Sequence, residues 1–540
     1  MSNPYMSFLN PPPVPQTQPL AENQVLNNAG GYVYKISDEQ RVLRFIIIGS
    51  DSPTYYCTEK KMTEDNAKDM IRIIKEGVVN VLQLIEATSL QGRAPRQTST
   101  LFLMALVCTY ATPAVKSHAY VTIKYICRTG TQLFQFVAFV NEMRGWSEGL
   151  RRGVADFYED KSLEKLAMQI LKYRQREGWT HRDVLRLSHP KIKDKARNDV
   201  LRYAVGKDIK EINKGRLIKI FEALQTSKQE EGISPVIEVL QAMVVPWEFL
   251  PTWTHAHVEL WQTLLPSMGY TAMLRNLTRM AALGMFKSNL AVDTKTLINR
   301  IMDSEKLKKE RVHPIQIFFA LHAYHAGKNM RHADKTWNPQ SAIEDALNYA
   351  FIAAFGNVKP TGKNIMVALD VSGSMWSAML ANSQITAAEM TGALALVLRK
   401  TEPYCQFVAF SGMLVEFPIY QQDGLQQICE RMRKLSFTQT DCSLPVIAAI
   451  ENKLPVDAFI ILTDSETYAG RVHVSKALQM YRQVSGIPAK MIVVGMTATE
   501  FTVADPNDSL SLDVVGADSS LPALITEFIG VKEAAPSPVG

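Results

Sequence analysis

The chain has 540 residues, of which 46% are hydrophobic and 21% charged, and its formal net charge is +6. This length allows more than one domain, and the composition is that of a globular protein rather than a disordered or fibrous one. No apolar run approaches the ~20 residues of a membrane-spanning helix. Because Met1–Pro4 lacks a basic flank and an apolar core, and the six cysteines show no C-x-x-C pair, we expect a cytoplasmic protein with reduced thiols.

The charge is unevenly distributed along the chain. Residues 361–540 carry 12 Lys+Arg and 18 Asp+Glu, whereas residues 151–220 hold 19 basic and 10 acidic side chains. A basic segment beside an acidic module indicates that the basic segment meets polyanions.

The ends of the chain predict disorder, and most of the rest predicts helices. Residues 1–25, which include Pro11–Pro15, and residues 531–540 are proline-containing and poor in apolar side chains, so we expect disordered tails. Residues 26–360 repeat an i, i+3, i+4, i+7 apolar pattern, as in Leu163–Ile170. So many successive amphipathic helices favour an α-solenoid of degenerate repeats over one compact bundle, with a short strand within Tyr32–Ile48 as an exception.

A cluster of cations follows a predicted helix that runs from Ser162 to about Arg174. Gly178 and Trp179 interrupt this helical pattern. Arginine suits phosphate because its planar fork makes two parallel hydrogen bonds. We therefore expect an RNA contact from the three cations at this end, Lys172, Arg174 and Arg176.

A second short helix is predicted directly afterwards. Thr180 and Asp183 have the spacing of a capping box. Arg182, Arg186 and His189 then fall at i, i+4 and i+7 and share one face, which suits a helix that presents cations outward. The alternative is a solvated, salt-bridged surface helix, which is the usual fate of a charge run.

Residues 361–530 alternate strand and helix signals. Helical patterns at 386–399 and 444–453 separate four short apolar runs, Ile365–Leu369, Gln406–Phe410, Phe459–Leu462 and Met491–Val494. This alternation predicts a doubly wound α/β domain with a parallel sheet and right-handed crossovers.

Polar side chains follow two of these strands. The first strand is followed by a D-x-S-x-S loop, and in such sheets ligands bind at the carboxyl ends of the strands. Hard divalent cations such as Mg²⁺ prefer an all-oxygen set. We therefore expect a Mg²⁺ site formed by Asp370, Ser372, Ser374, Thr440 and Asp464. The first four would provide direct or water-bridged oxygens, and Asp464 would hold a coordinating water. This arrangement resembles the metal-ion-dependent adhesion site of von Willebrand factor A domains.

Other interpretations of these motifs are possible. Asp370 and its serines are also typical of a helix cap. A phosphoryl-transfer aspartate would want a second acid beside it, where this chain has Ser372 and Ser374. Zinc is disfavoured because the close histidine pairs, His255/His257 and His322/His325, lack nearby cysteines or an H-E-x-x-H helix.

Six ordered stretches resemble the Ro ribonucleoprotein autoantigen family, whose helical module is called TROVE and which includes bacterial "Ro sixty-related" proteins. The resemblance covers about residues 30–531 and rests on Gly31–Tyr34, Lys172–Trp179, Val184–His189, Thr271–Leu277, Arg311–Pro314 and Thr440–Pro445.

The resemblance implies a multidomain fold, a ring of HEAT-like helical repeats closed by a von Willebrand factor A domain. It implies that the outer basic surface binds small noncoding Y-like RNAs, with Lys172, Arg174, Arg176 and His189 as the matching residues and Arg275 facing the cavity. It also implies that single-stranded 3′ ends of misfolded or unprocessed RNAs enter the ring. The protein would be a monomer within the ribonucleoprotein, with a 3′ exoribonuclease as a candidate partner.

Two further functions compete with RNA binding. One is a protein-binding scaffold in which the A domain captures a partner carboxylate through Mg²⁺. The other is a metal-dependent nuclease or phosphatase, which the absence of clustered bridging acids in the sequence disfavours. We therefore expect a binding protein rather than an enzyme.

Overall fold

The computed structural model describes residues 14–48, 67–329, 334–356, 360–378, 385–435 and 439–530. These residues form two compact units. The first comprises the described parts of 14–48, 93–95 and 352–530, and the second comprises those of 67–92 and 96–351. Residues 1–13 and 531–540, for which disordered tails are predicted, lie outside the described residues.

The N-terminal segment is folded onto the α/β domain. It contains β1 (Gln24–Leu26), β2 (Tyr32–Lys35) and α1 (Asp38–Ile47), which begins after a capping box made by Ser37. The backbone N–H of Gln16 donates to the carbonyl of Gly470 at 2.9 Å, and the fully buried Arg44 makes a bidentate ion pair with Asp513 at 2.8 and 2.9 Å.

These contacts correct two predicted boundaries. Residues 14–25 are not a disordered tail, because their backbone is hydrogen-bonded and β1 pairs with β2. Residues 26–48 belong to the unit of the α/β domain rather than to a helical module of residues 26–360, because their polar and apolar partners lie there. The predicted short strand within Tyr32–Ile48 is confirmed as β2.

The second unit is built almost entirely from helices. Alternate helices pack on one another: α2 and α6 both contact α4, and α5 contacts α7, which contacts α9. This stacking confirms the predicted α-solenoid. The elements of the unit are α2 (Lys68–Glu76), α3 (Val81–Gln91), α4 (Thr98–Tyr110), α5 (Pro113–Ile126), α6 (Gly130–Met143), α7 (Glu148–Glu159), α8 (Leu163–Lys172), β3 (Gln175–Arg176), β4 (Trp179–Thr180), α9 (His181–Ser188), α10 (Lys195–Ala204), α11 (Arg216–Thr226), α12 (Ser234–Ala242), α13 (Val258–Leu264), α14 (Tyr270–Ala282), α15 (Val292–Ile301), α16 (Ser304–Lys309), α17 (Pro314–His325) and α18 (Ser341–Ala353).

The α/β domain has a six-stranded sheet of order β11-β9-β8-β5-β6-β7, in which only β7 is antiparallel to its neighbour. A separate small sheet joins β10 to β2 and β1. The elements are β5 (Ile365–Asp370), α19 (Gly373–Ser377), α20 (Ala387–Thr401), β6 (Cys405–Phe410), β7 (Leu414–Glu416), α21 (Leu425–Arg433), α22 (Leu444–Glu451), β8 (Ala458–Thr463), α23 (Val474–Ser485), β9 (Lys490–Gly495), β10 (Phe501–Thr502), β11 (Ser511–Val515) and α24 (Leu521–Gly530).

The predicted doubly wound domain is confirmed. All four predicted strands are present within one residue of their expected ends, and β5 and β8 are buried along their whole length. Their apolar runs are continuous because a parallel sheet is covered on both faces. Among the described helices, none is both long and apolar enough to cross a membrane.

A buried histidine ties three helices of the second unit together. His181 is 3% exposed, and its ring nitrogens lie 2.9 Å from the hydroxyl of Tyr158 and 3.2 Å from the carbonyl of Gln169. A Cβ added to Gly130 would come within 3.0 Å of the ring, so the site has no spare room. Burial lowers the pKa of His181 to about 4.

We predict that this histidine makes the fold acid-sensitive. The folded-state pKa lies below the unfolded value of about 6.5, so the neutral ring is favoured in the fold. The stabilisation that the neutral ring provides is therefore complete above about pH 6.5. It is lost as the pH falls toward 4, by up to about 3 kcal/mol. Urea unfolding from pH 7 to pH 4 measures this loss.

The matched control for this experiment is an exposed histidine close by in the chain. His181→Gln should flatten the dependence of the unfolding free energy on pH between 7 and 4, whereas His189→Gln should leave it as in the parent protein. An equal slope in the parent and in His181→Gln would show that another group controls acid stability.

Candidate functional site

The loop after β5 presents one carboxylate and two hydroxyls in a confined space. Asp370, Ser372 and Ser374 are 0%, 1% and 4% exposed. The backbone N–H of Ser372 donates to Asp370 Oδ1 at 2.9 Å, and the hydroxyls of Ser372 and Ser374 lie 3.1 Å apart. The hydroxyl of Thr463, at the end of the neighbouring β8, donates to Asp370 Oδ2 at 2.5 Å.

The loop after β8 adds a second buried carboxylate. Asp464 is fully buried, and its Oδ1 accepts from the backbone N–H of Glu466 at 3.0 Å, whereas its Oδ2 has no hydrogen-bond partner in the described part of the chain. The hydroxyl of Ser465 is also buried without a partner among these residues, and Ser465 has a left-handed backbone with φ of 64°. Two unsatisfied buried oxygens in one loop are costly, and they are typical of a site that receives a ligand.

Electrostatics at this sheet edge favour a cation. Burial, and then the nearby charge of Asp464, raises the pKa of Asp370 to about 7. Burial also raises the pKa of Asp464, while the nearby Ser374 hydroxyl lowers it in part. Two carboxylates that approach each other away from water destabilise one another unless a proton or a metal ion separates them.

The predicted ligands at the end of β5, Asp370, Ser372 and Ser374, therefore lie close to Asp464 at the end of β8. Within the described ranges, no three His, Cys, Asp or Glu side chains form a group that would hold a metal ion. Serine and threonine hydroxyls and water would have to complete a ligand set around Asp370 and Asp464. This combination of hard oxygens fits Mg²⁺, which keeps several of its waters.

Thr440 lies in the connection between α21 and α22, and it is 3% exposed. Its carbonyl accepts from the backbone N–H groups of Tyr468 and Ala469 at 3.0 and 3.1 Å. The next residues are also fixed to the end of β8, since Cys442 N–H donates to the hydroxyl of Thr467 at 3.2 Å. The structure thus brings the loop that carries Thr440 against the loop that follows β8.

Residues that sequence reasoning missed complete this site. Glu466 is fully buried, and burial, followed by the charge of Asp464, raises its pKa to about 7. Its carboxylate accepts from Asn28 Nδ2 at 2.6 Å and from the Ala29 N–H at 3.2 Å. The only signal in the sequence is an acidic residue two positions after Asp464.

The turn between β1 and β2 holds the loop after β8 in place. The side chain of Asn27 donates to the carbonyls of Ser465 and Thr467 at 3.1 and 2.8 Å, and its own carbonyl accepts from the Gly31 N–H at 2.8 Å. A Cβ on Gly31 would lie 1.9 Å from the carbonyl oxygen of Thr467. Glycine is therefore required where the turn meets the loop.

The predicted cations near the end of α8 lie on three successive parts of the chain. Lys172 ends α8, Arg174 follows it, and Arg176 lies on β3. Lys172 is half-buried and pairs with Glu248 at 3.5 Å, whereas Arg174 and Arg176 are exposed. Arg176 pairs with Glu177 at 2.9 Å, and β3 and β4 form a hairpin whose turn places Glu177 and Gly178 at φ of 50° and 77°.

The predicted side chains of this short helix, α9, are exposed. Thr180 and Asp183 make the capping box, Arg182 and Arg186 lie on the helix, and His189 is its C-terminal cap, with a left-handed backbone at φ of 47°. Val184 and Leu185 are buried on the opposite side of the same helix. None of the side chains of Arg182, Arg186 and His189 has an ion-pair partner among the described residues. Arg275, on α14, is also exposed.

We predict that Gly31→Ala destabilises the α/β domain by about 1–3 kcal/mol, the usual cost of forcing atoms into a packed site. The loop carrying Asp464 would have to move away from the turn. Guanidinium unfolding measures the change. Gly215→Ala is the control, because a Cβ there meets nothing within 4 Å and its backbone has a negative φ. Equal stability of the two variants would contradict the close approach.

Comparisons with known proteins agree with this architecture. Residues 25–238 and 242–328 match the family model described as the TROVE domain, and residues 364–529 match the Ro60 von Willebrand factor A domain. Proteins named RNA-binding protein RO60 are similar along most of their length. The Deinococcus radiodurans protein is 36% identical over 96% of this chain and 98% of its own, and that of Caenorhabditis elegans is 33% identical over 96% and 92%.

A solved structure shows the same fold. The crystal structure of the Deinococcus radiodurans RO (RSR) protein aligns with a TM-score of 0.69 at 33% identity, covering 92% of this chain and 99% of that one. The predicted family and the predicted fold class, a helical-repeat ring with a von Willebrand factor A domain, are thus confirmed. By sequence, fold and domain order, this chain belongs to the Ro60 family of TROVE-domain proteins.

Proposed function

We propose that this chain is the RNA-binding protein of a small ribonucleoprotein, and that it acts by binding rather than by catalysis. The observation that carries the proposal is the cationic face of α9, formed by Arg182, Arg186 and His189, next to Arg174 and Arg176. Arg182 and Arg186 are backed by a fixed apolar face and have no ion-pair partner among the described residues, so they can bind phosphates without first breaking ion pairs. The relatives named as RNA-binding proteins support the same partner class.

The proposed RNA ligands are of two kinds. A structured, Y-like noncoding RNA would bind the cationic face through phosphates and duplex shape, because A-form grooves hide the base edges. The single-stranded 3′ end of a misfolded or unprocessed RNA would enter the cavity of the helical ring, which Arg275 is proposed to face. Selection for a free 3′ tail would make the protein part of RNA quality control.

The α/β domain is proposed to bind Mg²⁺ through Asp370, Ser372, Ser374 and Thr440, with Asp464 holding a coordinating water. The buried carboxylates and the unpartnered Oδ2 of Asp464 support this assignment. The metal would supply a positive charge with one position open to a carboxylate of a partner protein. A 3′ exoribonuclease is a partner that suits the proposed RNA function.

We predict that RNA binding separates into two components. In gel-shift titrations with one stem-loop RNA, with and without a single-stranded 3′ tail, the tail should tighten binding by the parent protein. Lys172→Ala/His189→Ala should weaken binding of both RNAs and preserve most of the gain from the tail. A tail without effect would remove the proposed role of the cavity.

Salt dependence tests the phosphate contacts in the same experiment. Affinity should fall steeply between about 50 and 200 mM salt because counterions are released on binding. Loss of one phosphate contact, as in Arg186→Ala, should reduce the logarithmic salt slope by about 1. Lys434→Ala, which removes an exposed cation from the α/β domain, is the control and should keep the parent slope. Affinity that is insensitive to salt would contradict the proposal.

The metal site makes a separate prediction about stability. MgCl₂ at about 100 times its Kd should stabilise the protein by about 2.7 kcal/mol, visible as a higher Tm in scanning fluorimetry. Asp370→Asn should lose this response. Without metal it should unfold at or above the parent temperature, because it no longer buries a charge beside Asp464.

The control for this prediction lies at the other end of the same strand. Asp457 precedes β8 and accepts from the Asn364 N–H, at the opposite end of the strand from the proposed metal. The Asp457→Asn variant should therefore keep the parent response to Mg²⁺. A shift that persists in Asp370→Asn would place the cation elsewhere.

A further inference from the structure

A single turn of 3₁₀ helix, Trp247–Phe249, connects the two groups of predicted RNA contacts in the second unit. On one side, Lys172 Nζ lies 3.5 Å from Glu248 Oε1. On the other side, the guanidinium of Arg279 lies 5.8 Å from the ring centroid of Trp247. Arg279 follows Arg275 by one turn of α14, and both are exposed, so they share a face of that helix.

The indole of Trp247 is a rigid, half-exposed surface. Its ring lies 6.3 Å from that of Trp261 and 5.4 Å from that of His255. Trp261 is fully buried, and its indole N–H donates to the carbonyl of His255 at 3.0 Å. A half-exposed ring supported by a fixed aromatic cluster provides a flat apolar face without having to be ordered when a ligand arrives.

Arg279 carries a charge that no acidic side chain among the described residues neutralises. Its guanidinium lies over Trp247 and also 5.6 Å from the ring of Trp261, and its only hydrogen bond there is a long one, 3.5 Å, to Asn276 Oδ1. His255 does not offset this positive charge. Burial, and then the charge of Arg279, lowers the pKa of His255. Arg275 likewise has no described ion-pair partner.

A packing role alone accounts for only part of this arrangement. An arginine stem often covers aromatic rings, and a cation over indole is stabilising in itself. Packing does not require the second unpaired cation, Arg275, one turn away on the same exposed face. Nor does it require that the turn also contacts Lys172. Exposed cations interleaved with aromatic faces are the combination that single-stranded nucleic acids use.

We infer that Trp247, Arg279 and Arg275 form a stacking site for unpaired bases of RNA. A base lies against the exposed parts of Trp247 and the Arg279 guanidinium, while Arg275 binds the adjacent phosphate. Lys172 lies on the other side of the same turn, so a strand held here runs toward the α8 cations. This inference rests on the proposed RNA binding and gives single-stranded segments a site that is defined by named residues.

The test uses a fluorescein-labelled oligouridine and the full chain, with Kd measured by anisotropy. Stacking on one aromatic ring is worth about 1–3 kcal/mol, so Trp247→Ala should weaken binding by roughly 5- to 150-fold. Trp247→Phe keeps a ring and should recover most of the affinity. Tyr125→Ala is the matched control, because Tyr125 is 51% exposed with Lys124 5.2 Å from its ring, and it should bind like the parent.

A second substitution keeps the test decisive if Trp247→Ala does not fold, as judged by circular dichroism. Arg279→Lys keeps the charge but loses the planar stacking group, so it should weaken oligouridine binding several-fold at equal salt. If Trp247→Phe and Arg279→Lys both bind like the parent, the stacking site is overturned.

A stem-loop RNA without a tail separates this inference from the proposed function. If the parent binds the stem-loop and Lys172→Ala weakens that binding, the RNA function stands whatever the oligouridine result. If the parent binds neither RNA, the proposed function itself fails. Stem-loop affinity unchanged by Trp247→Ala, together with weakened oligouridine binding, is the result we expect.

Discussion

Two carboxylates buried at the end of a parallel sheet are the constraint around which the α/β domain is organised. Asp370 ends β5 and Asp464 follows the adjacent β8; both are fully buried, and the charge of Asp464 raises the cost of ionising Asp370. A fold selected for stability alone would place apolar side chains there. The loops that surround these groups are instead fixed by hydrogen bonds to Thr463 and to the backbone of Glu466, which keeps the oxygens close together.

The N-terminal segment holds the loop after β8 in place through hydrogen bonds. Asn27 and Asn28 satisfy the carbonyls of Ser465 and Thr467 and the carboxylate of Glu466, groups that would otherwise be buried without partners. The approach is so close that Gly31 has no room for a Cβ. A loop with a left-handed Ser465 and two unsatisfied oxygens is stable only when its surroundings fix it from outside.

The sequence predicts what depends on local pattern and fails where partners are distant in the chain. Strands β5 and β8 are evident because a continuous apolar run bounded by polar residues has few other interpretations. The sequence pattern does not show that residues 14–25 are folded, nor does it show the role of Asn28. Asn28 donates to the carboxylate of Glu466, which is 438 positions away in the sequence. The face of α9 is predictable since its period is local, whereas the approach of Trp247 to Arg279 on α14 is set by tertiary packing.

The two units differ in how far their charged side chains are exposed to water. In the α/β domain, acids are buried and close together, so their effect is local and strong, as expected where water is excluded. In the helical unit, the cations of α9 and α14 are exposed, so each contributes little alone and salt screens it. Such a surface binds only a ligand that meets many cations at once. A polyanion satisfies that condition, and an aromatic face such as Trp247 adds attraction that salt does not screen.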